Sequence, residues 1–155
     1  STRVESNQPV IVERAMYWRS LDTDDRQAAH DSIGVATPSQ TWYLAEGSTG
    51  SDPLGRFETW VLVQNPGAES AQVSVTYMTP DGMVEGPELE LAPESRHSFN
   101  VADTLPDTWH VSTRVESNQP VIVERAMYWN STDVYRHSAH CSTGVTDTLL
   151  TSQHD

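Results

Sequence analysis

His137-Ser-Ala-His140-Cys141 is the densest cluster of soft ligand types in the sequence. Two histidines a three-residue step apart, with a thiol beside them, suit zinc in type and spacing. No second ligand pair lies nearby, so a solvated loop is the reading favoured for His137 and His140, and metal is the alternative. Asp22, Asp24 and Asp25 offer clustered carboxylate oxygens, which calcium prefers. They lack the spacing of an EF-hand loop, so a charged linker is preferred over a calcium site. No other cofactor is suggested. Asn130-Ser131-Thr132 is an acceptor triplet for N-glycosylation, placed just after a strand end where Asn130 is expected to be exposed.

Two further sets bear on function. Glu13-Arg14 and Glu124-Arg125 lie inside apolar runs, where neighbouring side chains point to opposite faces of a strand. At least one of each pair should face inward or towards an interface; an inward charge needs a hydrogen-bonded partner, and a buried pair is preferred over a surface contact. Glu58 and Arg114 are the candidates. Trp42, Tyr43, Trp60, Trp109, Tyr128 and Trp129 are able to stack on sugar rings, but core and inter-repeat packing is the simpler use of such rings. No Ser-His-Asp, Cys-His or glycine-rich phosphate signature occurs in a supporting pattern. The chain therefore reads as non-catalytic.

The element that must position these residues is a repeat. Ser1–Trp18 recurs without a change as Ser112–Trp129. One residue out of step, the match resumes: Ala29-His30 faces Ala139-His140, Ser32 faces Ser142, and Gly34-Val35 faces Gly144-Val145. Identity of this length marks a tandem array. Residues 1–18 read as the C-terminal hairpin of a preceding copy, 19–40 as a linker, 41–129 as a complete unit, and 130–155 as linker and tail.

Within the complete unit, seven strand candidates occur, at 42–45, 57–64, 72–78, 83–91, 96–101, 109–116 and 121–129. Val73, Val75 and Tyr77 alternate with Gln72, Ser74 and Thr76, the period of a half-buried strand. Pro80-Asp81-Gly82 signals a hairpin, and Asn118-Gln119-Pro120 signals a turn between the last two strands. Short strands with regular turn signals predict an all-β, two-sheet sandwich, with a closed barrel as the alternative. The extra hairpin at 1–18 carries Val4, Val10, Val12, Met16 and Trp18. A lone two-stranded hairpin is marginal in water, so these residues are expected to form an interface with a neighbouring unit.

Composition narrows the partners. The net charge is −13, from 22 acidic and 9 basic residues, and lysine is absent. Nucleic acids and anionic membranes require clustered basic residues, which this chain lacks. No apolar run approaches the length of a membrane-spanning helix. The acidic, Ser/Thr-rich composition favours an extracellular or cell-surface setting, with self-association as the expected contact and glycans as the alternative partner. Cys141 is the single cysteine, and it faces Asp31 in the other copy, so the repeat does not depend on a thiol.

Thr41-Trp-Tyr-Leu-Ala-Glu-Gly, Gly55-Arg-Phe-Glu-Thr-Trp-Val-Leu-Val-Gln-Asn-Pro-Gly and Val115 to Trp129 together resemble tandem immunoglobulin-like repeats of unknown function in large bacterial and archaeal cell-surface proteins. The resemblance covers about 41–129, and 1–18 as part of another copy. It implies an immunoglobulin- or fibronectin-III-like sandwich serving as a spacer, adhesion or filament module. It implies no catalytic residue. The sequence after Val145 departs from the pattern.

Overall fold

The computed structural model describes residues 1–18, 28–133 and 136–147. It is all-β, with curled antiparallel sheets that form a half-barrel. The strands are β1 (Glu13–Trp18), β2 (Ala28–Ile33), β3 (Ser39–Leu44), β4 (Ser51–Asp52), β5 (Gly55–Asn65), β6 (Ala71–Thr79), β7 (Gly82–Leu91), β8 (Ser95–Asn100), β9 (Ser112–Ser131), β10 (Ser138–Thr143) and β11 (Val145–Thr146). One 3-10 turn, Val101–Asp103, follows β8 and is capped by Asn100, whose side-chain oxygen accepts from the Ala102 amide.

β9 organises the rest. Its first half lies between β3 and β6, in the order β7-β6-β9-β3-β11. Its second half lies between β5 and β10, with β8 and β4 beyond β5. Two strands were expected here, separated by a turn at Asn118-Gln119-Pro120. The structure instead carries one 20-residue strand, and the three residues form an irregularity in it. Ser39 pairs with Val121 while Thr41 pairs with Glu116, so several β9 residues face one β3 residue. Proline has no amide hydrogen to give the ladder, so pairing lapses at Pro120 and the strand bends. Side chains fix the bend. Asn118 accepts from the Gln72 amide at 2.8 Å, its carbonyl accepts from Gln40 Nε2 at 2.9 Å, and Trp42 Nε1 donates to the Val121 carbonyl at 2.9 Å. One strand thus serves two sheets and curls them around a single core.

That core contains Trp42, Leu44, Val61, Val63, Val73, Val75, Tyr77, Phe99, Val115, Val121 and Val123. The Asn65-Pro66-Gly67 stop is built around a fully buried amide. Asn65 Nδ2 donates to the carbonyls of Glu69, Leu91 and Ala92, and Oδ1 accepts from the Gly67 amide. Pro80-Asp81 makes the expected hairpin, with Thr79 opposite Gly82 and Gly82 at φ +122°, a value glycine tolerates. The bend at Gly86-Pro87 is a bulge facing Val75. A Cβ on Gly86 would sit 2.8 Å from the Val75 carbonyl oxygen, so only glycine fits there.

Strands also occur where linkers were expected. β2 lies within 19–40 and pairs with β1, Glu13 to Ile33 through Trp18 to Ala28. β10 lies within 130–155 and pairs with β9, Glu124 to Thr143 through Trp129 to Ser138. The two hairpins have the same register: Arg14 faces Ser32 as Arg125 faces Ser142, and Met16 faces His30 as Met127 faces His140. The hairpin expected within residues 1–18 is not formed there: residues 1–12 carry no strand, and β1 begins at Glu13 and pairs with β2 instead.

Candidate functional site

The hairpin β1–β2 sits on the outer face of the second sheet. Along β9, Val121, Val123, Arg125, Met127 and Trp129 alternate with Ile122, Glu124, Ala126 and Tyr128. Val121 and Val123 belong to the core, so the second set faces outward. The outward residues Ala126 and Tyr128 are nevertheless buried, together with Cys141, and Trp60, Leu62 and Ala139 pack around them. The docked hairpin supplies the cover. Arg14 Nη2 donates to Glu124 Oε1 at 2.6 Å and to Cys141 Sγ at 3.3 Å. Trp18 Nε1 donates to the Arg136 carbonyl at 2.8 Å, and its ring meets the Tyr128 ring edge-on. His30 is buried beside Trp18, and neither ring nitrogen has a hydrogen-bond partner among the described residues.

One hairpin face therefore occurs in two settings. Arg14, Met16, Trp18 and His30 correspond to Arg125, Met127, Trp129 and His140. In the second copy this face points into the half-barrel, and in the first it grips the outside. The opposite face of the first hairpin, with Glu13, Ala15, Ala29, Asp31 and Ile33, is exposed. It is the duplicate of the surface on which the hairpin is seated, Glu124, Ala126, Ala139, Cys141 and Thr143.

Electrostatics follow from this packing. Burial pushes the Cys141 thiol up to about 12, helped by the Glu124 carboxylate, which accepts a hydrogen bond from the thiol at 2.7 Å. Burial holds His30 below the ordinary imidazole value, and the Arg14 charge adds to this. Arg125 is the inward-facing charge that was expected, at 3% exposure, but its partners differ from those expected. Nη1 donates to the Glu46 carbonyl at 2.7 Å and lies 3.1 Å from Glu46 Oε2, and Nη2 lies 2.6 Å from His140 Nδ1. Glu58 instead accepts from Asn130 and Arg136, and Arg114 pairs with Glu116. Glu46 follows β3 and reaches β9 only through the curl of the sheet, which strand order alone does not reveal.

The other expected sites fall as follows. His137 precedes β10 and is exposed, while His140 lies on the opposite strand face from Cys141 and is taken up by Arg125. The described residues contain no group of three metal-ligating side chains. Asp22, Asp24 and Asp25 lie outside the described residues. Asn130 is not the exposed acceptor that was expected. It is buried, its Nδ2 donates to Glu58 Oε1 at 3.1 Å, and its Oδ1 accepts from the Arg136 amide at 2.9 Å. A glycan would need that same nitrogen in solvent. Of the expected interface residues, Trp18 and Val12 are partly covered, whereas Val4, Val10 and Met16 remain exposed.

A concave feature of about 500 Å3 opens at the end of the half-barrel. Phe57, Met127 and Trp109 form its apolar wall, and Glu46, Ser48 and His110 supply polar groups. Trp109 is 43% exposed and lies over Gly50, where an added Cβ would sit 2.4 Å from the indole. Trp42, by contrast, is buried, and Trp129 packs on Phe57. The signal for this cleft was the glycine-rich loop after β3, which leaves room for an indole.

No protein-family model matches the chain, and no curated protein matches it. Among solved structures it is similar to the crystal structure of Thermotoga maritima 1070, at 20% identity and a TM-score of 0.59, over 70% of this chain and 94% of that one. It is also similar to the Anabaena sensory rhodopsin transducer, at 22% identity and a TM-score of 0.49, over 59% of this chain and 99% of that one. At 20% identity the likeness to the Thermotoga protein is one of fold.

Proposed function

We propose that this chain is a non-catalytic structural repeat of an extracellular or cell-surface array, whose units join by docking one hairpin on the outer sheet of the next. One observation carries the reading: the docked hairpin turns outward a near-copy of the surface on which it is itself seated. A contact between two different faces of one element is heterologous, and such contacts extend rather than close unless rotation brings them into a ring. Stacked repeats gain stability from each interface. The acidic, lysine-free surface suits a soluble, exposed array, and an immunoglobulin-like sandwich is the family relationship this reading favours.

The test is a substitution on the outward face. Ala15→Arg leaves the docked side of the hairpin untouched and blocks the next unit. The wild-type chain is expected to form oligomers or filaments with rising concentration, seen by light scattering and electron microscopy, and the variant is expected to stay monomeric. A wild-type chain that remains monomeric at every concentration refutes the reading.

The cleft beside Trp109 favours a second reading, a glycan-binding module. An exposed indole flanked by Glu46, Ser48 and His110 offers a sugar ring both an apolar face and hydrogen bonds. A glycan array on wild type and Trp109→Ala separates the two: binding lost with the fold intact supports the module, and no binding by wild type removes it.

A further inference from the structure

Ser1–Trp18 and Ser112–Trp129 are the same eighteen residues in two environments. In β9 the sequence is enclosed: Val115 and Val121 are 0% exposed, between β3 and β6 and at the bend. Their duplicates Val4 and Val10 are 54% and 57% exposed, and residues 1–12 form no strand. Every contact that secures Ser112–Trp129 is thus also encoded in Ser1–Trp18. That includes the Pro120 bend, repeated as Pro9, and the Asn118 side chain, repeated as Asn7.

We propose that Ser1–Trp18 is a spare central strand, able to occupy the β9 position, between β3, β6 and β5, in a second copy of this chain. The partner is therefore the curled sheet pair of another repeat. The slot does not discriminate between two identical occupants; chain connectivity and concentration do. Arg14, Met16 and Trp18 use one face for both seats, so the outside docking and the slot exclude each other, and only the slot covers Val4 and Val10. This rests on the repeat joining to its own kind, but not on the outward stacking of hairpins. Exchange of an identical element between chains is a low-cost route to association.

Register supplies the test. Glu116 lies opposite Ser74, and Glu5 is the duplicate of Glu116. Two differently tagged chains, both carrying Cys141→Ser, are mixed in denaturant and refolded together under mild oxidation, one with Glu5→Cys and the other with Ser74→Cys. The expected product is a disulfide-linked heterodimer, and a single chain with Ser74→Cys and Glu116→Cys reports that the register permits the bond. A bond within the single chain but none between the mixed chains overturns the proposal. A cysteine-free measurement stands beside it. Val115→Asp with Val123→Asp makes β9 a poor occupant, and this chain is expected to keep its β circular dichroism and run as a dimer or larger. Adding Val4→Asp and Val12→Asp is expected to unfold it. Loss of structure in the first variant, or a folded monomer, overturns the proposal. Neither measurement requires a second hairpin on the outward face of the first, so failure of outward stacking is distinguishable from failure of exchange.

Discussion

Arg14 and Arg125 hold the same position in the repeat, yet one reaches outward to Glu124 at 2.6 Å and the other is buried against Glu46 and His140. The first is a partly exposed ion pair, and exposed pairs contribute little on their own, about 0–1 kcal/mol. The docked hairpin therefore depends more on Trp18, which contributes a ring contact and a hydrogen bond to the Arg136 carbonyl.

Trp18→Ala is expected to release the hairpin. Losing the bond and the ring costs about 1–3 kcal/mol, roughly 5- to 150-fold in the docking equilibrium. Cys141 reports it, because the hairpin covers its sulfur. Reaction with a thiol reagent is expected to speed up by about that factor in Trp18→Ala, and less in Arg14→Ala. Equal rates in wild type and Trp18→Ala would show that the hairpin does not shield the thiol.

Acid is expected to loosen the same contact. His30 is held below its ordinary pKa by burial and by Arg14. The released imidazole therefore takes its proton first as pH falls through about 6.5. Docking is at full strength above that value and weakens below it. Titration of Cys141 labelling with an acid-active disulfide reagent should show the loss, and His30→Gln should flatten it.

Alkali is expected to destabilise the whole fold in two steps. Cys141 and Tyr77 are both pushed up to about 12, each first by burial. Their unfolded counterparts ionise near about 8.5 and about 10. The folded state then holds protons that the unfolded chain has lost, so stability is complete below about 8.5 and falls as pH rises towards 12. Urea midpoints across this range check it, and Cys141→Ser should remove the earlier part of the decline.

Asn65→Ala should be costly for one amide. It strips the carbonyls of Glu69, Leu91 and Ala92 and the Gly67 amide of a shared partner. Buried groups left unpaired cost about 1–3 kcal/mol each, and partial relaxation towards water brings the expected loss to on the order of 3 kcal/mol, read from denaturant unfolding. A loss within the scatter of surface substitutions would mean that the loop re-pairs without it.

The strands from β5 to β8 were legible because alternating Val and clear turn residues mark them, as with Val73, Val75 and Tyr77. β9 was not, since Asn118-Gln119-Pro120 carries the residues of a turn and only tertiary pairing with Gln40, Gln72 and Trp42 makes it a bend. β2 and β10 were hidden by composition: Ala28–Ile33 and Ser138–Thr143 are polar and short on β-branched residues. The available signal was the internal match of Ala29-His30 and Ser32 with Ala139-His140 and Ser142. The need for an inward charge was readable at Arg125; its partner was not, because Glu46 is brought there by curvature. The docking of one hairpin on the back of the other follows from no local pattern, since both carry the same strand sequence.

A strand common to both sheets also sets how the unit fails. Neither layer can peel away and leave the other intact, because each would take β9 with it. Melting should be a single all-or-none event, and a polymer of such units under load should yield in whole-unit steps rather than by gradual fraying.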